Sequence, residues 1–194
     1  MLALLNIGMA DALITAWDSK FEYSFVRPVT AIRNAENDGN PDTVADAAWS
    51  PLLTTPPHPS YMAAHSSVSA TAATVLAEFF ANDAIAFTSS AEVSAGGAVI
   101  TRSFDSFSEA AQEAGASRIY GGIHWSFDNQ AGLQAGRSVG EFVADHLLQP
   151  RGNSGHDGDF PGVGVPHGES ASALPSRNNS NSVLSDSSND GLLG

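Results

Sequence analysis

The 194-residue chain has no cysteine. Disulfides, thiolate metal sites and a cysteine nucleophile are therefore excluded, while the redox compartment is left undecided. Positive charge is nearly as scarce: eight basic residues, among them the single lysine Lys20, stand against 21 acidic ones, for a formal charge of −13. Such a surface argues against nucleic acid or an anionic membrane as a partner, since both are recognised through basic patches. Long apolar runs are missing too. Charged or strongly polar residues interrupt each run before about 18 residues, so no membrane span is read and a soluble protein is expected. The apolar opening, Met1 to Ala10, has no preceding Lys or Arg and is broken by Asp11, which does not fit a signal peptide. The compartment stays open; a secreted or periplasmic one agrees with these features.

A hydrophobic content of 42% suffices for one core. Composition shifts near Pro150: Ser, Gly and Asn make up half of residues 151–194, too polar a mixture to offset the entropy of ordering. A helical domain over 1–150 and a mostly disordered tail over 151–194 are expected. The last residues, Ser188 to Gly194, faintly resemble the start of a calcium-binding nonapeptide repeat, although one partial copy cannot stack.

Residues 1–150 read as helices. Leu4, Leu5, Met9, Ala12, Leu13 and Trp17 recur at three- and four-residue steps, as a buried helix face does. Pro28 suits the first turn of the next helix. An Ala-rich helix is expected over His65 to Phe80, closed by Asn82 and Asp83. Ser106 and Glu109 stand at capping-box spacing before a helix to about Tyr120. A final helix from about Ser126 to Leu148 carries Leu133, Val139, Phe142, Val143 and Leu147 as its apolar stripe. Ala98 to Thr101 is the one strand candidate, and it reads equally as helix.

Three segments hold residues suited to chemistry. Lys20 ends the first helix and Arg27 precedes Pro28, so both charges can converge on an anion near free helical N–H groups; ion pairs with Glu22 or Asp18 are the plainer reading. Prolines from Pro56 to Pro59 lead to His65 at a helix head, where an imidazole either transfers a proton near neutrality or merely caps and packs. Ser117 and Arg118 precede Gly121, Gly122, His124 and Asp128. One turn beyond His124, Asp128 can hold one ring nitrogen so that the other is presented as ligand or nucleophile. Arg118 adds a planar fork of donors. Together they form an inventory for a tetrahedral anion: fixed cations, N–H dipoles, an acid/base and a group able to bond the central atom. His58, His146, His156 and His167 show no metal-ligand spacing and read as solvent or packing residues, and Trp17, Trp49 and Trp125 as packing, with a wall of the site beside His124 as the alternative for Trp125.

In order and spacing, Lys-x6-Arg-Pro, a Pro-rich approach to a helix-heading His, and Ser-Arg-x5-His-x3-Asp resemble the vanadium-dependent haloperoxidases and the related type-2 phosphatidic acid phosphatases. The flanks Arg27 to Arg33, Pro56 to Pro59 and Ser106 to Gly115 resemble the haloperoxidase branch. The resemblance covers about residues 10–148. It implies an all-α helical bundle holding orthovanadate: Lys20, Arg27, Arg118 and the backbone of Ala64 would bind the oxygens, His124 would bond the metal, and His65 would be the acid/base, with His124 and Asp128 completing the catalytic set. Hydrogen peroxide and halide would be the substrates. A phosphomonoesterase working through a phosphohistidine on His124, with a small phosphoester as substrate, is the alternative; a non-catalytic oxyanion-binding or structural fragment is the third reading.

Two departures matter. The family's Pro-Ser-Gly-His is Met62-Ala63-Ala64-His65 here, so a hydroxyl donor to the anion is missing at Ala63; Ser60 and Ser66 are nearby but out of register. Only 19 residues precede Lys20, fewer than the family generally carries, which implies an N-terminally shortened bundle whose uncovered face would seek a partner, a second copy of the chain included. One hydrogen bond to a charged group contributes about 1.5 to 3 kcal/mol. Ala63→Ser should therefore tighten vanadate binding at least tenfold in a titration; an unchanged affinity would reject the missing hydroxyl as the limiting donor.

Overall fold

The structure is a computed structural model that describes residues 1–92 and 97–149. These fall within one compact unit, Met1–Gly152. The expected tail over 151–194, with its faint calcium-repeat resemblance, lies outside the described residues.

Among the described residues five helices carry the fold: α1 (Leu2–Tyr23), α2 (Pro28–Arg33), α3 (Ala64–Phe80), α4 (Phe107–Tyr120) and α5 (Ser126–His146). A short 3-10 turn, Ala35–Asn37, follows α2. Central α3 packs against α1, α4 and α5, and α1 also meets α5. No helix among the described residues is long and apolar enough to cross a membrane.

Helix ends follow local chemistry. Pro28 opens α2 with Arg27 as its extended N-cap. Ser106 caps α4 by accepting from the Glu109 N–H at 3.0 Å, while the Glu109 carboxylate turns back to the Asp105 N–H at 2.6 Å. Between α3 and α4, the antiparallel strands β1 (Phe87–Glu92) and β2 (Val99–Phe104) pair with Phe87 opposite Phe104. The first strand has no expectation in the sequence, because Thr88, Ser89 and Ser90 carry little apolar alternation; both strands are largely exposed and pair through backbone hydrogen bonds.

The two apolar stripes expected from periodicity are buried only in part: Ala12 and Val143 are buried, but their larger members Leu13, Trp17 and Phe142 are not. On α1 the buried residues are Gly8, Ala12, Ala16 and Lys20, whereas Leu13 and Trp17 are exposed. On α5 they are Asp128, Gly132, Gly136, Gly140 and Val143, whereas Phe142 is exposed. Small residues at four-residue spacing make both faces flat enough for close approach. An added Cβ would lie 2.6 Å from the Ala63 carbonyl oxygen at Gly132 and 2.2 Å from the Ser67 carbonyl oxygen at Gly136. The glycine stripe thus lets α5 lie directly on α3, fixing the start of one helix against the start of the other. The Ala63 N–H reaches the Asp128 carbonyl at 3.2 Å.

Gly136→Ala should force α3 and α5 apart. A loss of about 2 kcal/mol, a melting-temperature drop of roughly 4 to 8 °C, is expected from thermal unfolding; an unchanged melting temperature would contradict this packing.

Candidate functional site

At one end of the bundle the scattered residues meet. Lys20 lies in the last turn of α1, Arg27 caps α2, Ala64 and His65 open α3, and Arg118 lies in the last turn of α4. The chain then turns at Gly122, whose φ of 72° favours glycine, and brings His124 to the start of α5. A cavity of about 550 Å³ is bordered by Arg118. A second cavity, of about 440 Å³, also bordered by Arg118, is lined by Ala64, His65, His124, His58 and Trp17 among others.

Lys20 is fully buried. Its ammonium donates to the carbonyl oxygens of Pro59 at 3.1 Å, Ser60 at 2.9 Å and Met62 at 2.7 Å. Three donors are all that an ammonium has. Lys20 therefore supplies charge to this region, with its hydrogen bonds spent on the backbone, and neither Glu22 nor Asp18 is among the ion-pair partners found in the described residues. Burial and the nearby Arg27 lower its pKa to about 8, opposed by Asp128.

Arg27 is buried and bridges two imidazoles. Its Nε donates to the His58 carbonyl at 2.9 Å, Nη1 to the Ile123 carbonyl at 2.7 Å and to His124 Nε2 at 3.0 Å, and Nη2 to His58 Nδ1 at 3.0 Å. A guanidinium only donates, so His124 Nε2 accepts and the ring proton resides on Nδ1. That proton is donated to Asp128 Oδ2 at 2.9 Å. Burial, with Arg27 and Lys20, lowers the His124 pKa against the pull of the Asp128 hydrogen bond. His124 is thereby a neutral imidazole whose Nε2 lone pair lies among cations.

His65 is exposed and lines the smaller of these two cavities. Desolvation on its inner side, Arg118 and Lys20 lower its pKa, so it too is neutral near pH 7 and able to take a proton. The Arg118 Nε donates to Ser117 Oγ at 3.1 Å. Ala64 and His65 occupy the first turn of α3, where helical N–H groups have no acceptor within the helix.

One residue has a larger part than its sequence setting indicates. His58, expected in a solvent or packing role, accepts from Arg27, lines the cavity and meets the Trp17 ring edge at 4.7 Å. Its lone signal was the Pro-His-Pro setting, which says nothing about a contact with Arg27. Ser60 and Ser66, weighed as replacements for the missing hydroxyl, are committed elsewhere: Ser60 Oγ donates to Asp128 Oδ2 and Ser66 Oγ to Asn129 Oδ1 at 2.7 Å. Trp125 donates from its indole to the Val26 carbonyl at 3.0 Å.

Residues 1–153 match the family of the VCPO second helical-bundle domain. The vanadium chloroperoxidase of Curvularia inaequalis is 27% identical over 227 aligned positions, covering 87% of this chain and 37% of that protein. The crystal structure of the first bacterial vanadium-dependent iodoperoxidase is 40% identical with a TM-score of 0.63, covering 73% of this chain and 32% of that one. A holo-type bacterial vanadium-dependent chloroperoxidase, 21% identical with a TM-score of 0.61 over 73% of this chain and 34% of its own, shares the fold. The chain thus spans about a third of the length of these relatives.

Because the Lys20 pKa is lowered on folding, the folded state binds fewer protons than the unfolded one between about pH 8 and 10.5. Stability must rise with pH over that window. Relative to Lys20→Met, the wild type should gain on the order of 3 kcal/mol between pH 8 and 10.5 in denaturant titrations; a flat difference would contradict the buried charge.

Proposed function

Because the chain belongs to the vanadium haloperoxidase family, we propose that it carries a haloperoxidase site, using hydrogen peroxide to oxidise a halide at vanadate held by His124. The observation that supports this most is the neutral imidazole of His124, with Nδ1–H on Asp128 and Nε2 facing Arg27 beside a cavity. The donor set fits an oxyanion: one lone pair able to bond the central atom, and arginines rather than carboxylates around it.

When bound, vanadate supplies a Lewis acid that makes peroxide electrophilic without a change of metal oxidation state. His124 Nε2 would hold it once Arg27 Nη1 turns from the ring to an oxygen. Asp128 keeps the opposite nitrogen protonated, so that Nε2 remains the free base. Arg118 and Arg27 donate to the oxygens, and the first-turn N–H of Ala64 adds a further donor. Lys20 contributes long-range positive charge from beneath. Neutral His65, lining the cavity, accepts a proton from incoming peroxide and returns it later. Iodide is the halide of first choice, since the 40% identical relative is an iodoperoxidase.

The test is halide oxidation with peroxide by the full chain, with and without added orthovanadate, beside hydrolysis of an aryl phosphate. Halogenation that requires vanadate and falls at least a hundredfold in His124→Ala is the expected outcome. Vanadate-inhibited phosphate hydrolysis through His124 would instead assign a phosphomonoesterase, and vanadate binding without either turnover would leave an oxyanion-binding fragment.

A further inference from the structure

Ser60 is fully buried and its hydroxyl donates to Asp128 Oδ2. The same oxygen accepts from His124 Nδ1 at 2.9 Å and from the Trp125 N–H at 3.2 Å. The other carboxylate oxygen, Oδ1, is buried with no hydrogen-bond partner among the described residues. Donors are therefore concentrated on one oxygen of a carboxylate that would otherwise be free to turn either oxygen, or neither, to the imidazole.

A carboxylate whose rotation is unopposed holds His124 poorly. Ser60 Oγ itself lies 3.5 Å from His124 Nδ1, so if Asp128 turned away the ring proton would fall back on a neutral and more distant acceptor. Hydrogen bonds to ionised groups are about twice as strong as neutral ones. The Ser60 position does not depend on its hydroxyl. Its N–H donates to the Phe25 carbonyl at 2.8 Å, and its own carbonyl accepts from Lys20 at 2.9 Å. The backbone is thus clamped at both ends, and removing Oγ alters the Asp128 environment while these clamps remain.

We propose that Ser60 is a positioning residue: its hydroxyl pins the Asp128 carboxylate in the rotamer that accepts the His124 Nδ1 proton, and so keeps the Nε2 lone pair presented to the oxyanion. This rests on the reading of His124 as the anion-bonding group. Ser60 acts on that group only through Asp128.

The test uses the full chain in three forms, wild type, Ser60→Ala and Ser66→Ala. Ser66 is the control, because its buried hydroxyl serves Asn129 and has no contact with the imidazole. In vanadate-free protein, the His124 Nδ1–H signal in proton–nitrogen NMR is expected far downfield in the wild type and in Ser66→Ala, and shifted upfield in Ser60→Ala. Vanadate dissociation constants should rise about tenfold in Ser60→Ala alone. Ser60→Cys, with a weaker donor of similar size, should fall between wild type and alanine, and it carries the test if the alanine variant does not fold. An unmoved Nδ1–H signal in Ser60→Ala, an affinity unchanged or tightened, or an equal shift in Ser66→Ala would overturn the proposal. An upfield shift in a chain whose wild type binds no vanadate would uphold the positioning role and remove the haloperoxidase reading instead.

Discussion

Buried positive charge in an acidic chain is the constraint from which the rest follows. Lys20 and Arg27 are withdrawn from solvent together with a single carboxylate, Asp128, and a neutral His124. The cluster keeps a net positive charge. Burying a charge is costly unless it is paired and hydrogen-bonded, and here carbonyl oxygens of residues 58–62 and 123 do most of the pairing. Dipoles stabilise the cations without cancelling them. Burial, with Arg27 beside it, is what lowers the Lys20 pKa, and Asp128 offsets this only in part.

The bundle exists to hold this arrangement still. The site is assembled from the end of α1, the cap of α2, the start of α3, the end of α4 and the start of α5, so an error in any helix pairing would disperse it. Glycines along α5 bring it onto the α3 backbone, and on α1 Gly8 lets that helix close on the side chains of Thr71 and Val75. Close approach leaves little freedom for sliding, because interiors packed at this density tolerate few alternative placements. The cost of flat faces is visible outside: Ile14 and Phe21 on α1 and Phe142 on α5 lie on the surface.

Much of this was legible in the sequence, for a physical reason. Caps, prolines and glycine turns act locally, so Pro28, Ser106 and the turn before His124 mark element boundaries by themselves. The spacing of His124 and Asp128 is one helical turn, and their hydrogen bond follows. Side-chain periodicity was less informative, since Leu13, Trp17 and Phe142 suggested buried stripes while Gly8, Gly132 and Gly136 marked the true contacts. A glycine stripe is invisible to a search for large apolar residues. Backbone acceptors were hidden as well. Nothing in the side chains of Pro59, Ser60 and Met62 announces that their carbonyls receive the Lys20 ammonium, nor that His58 would accept from Arg27.

Whether the cationic cluster of Lys20, Arg27 and Arg118 binds an oxyanion at His124 is decided most directly in solution. Vanadium-51 NMR of the full chain titrated with orthovanadate should show one bound equivalent in slow exchange, lost in His124→Ala and weakened in Arg27→Ala. Spectra in which the only signals are those of free vanadate, or a bound signal that survives both substitutions, would contradict it.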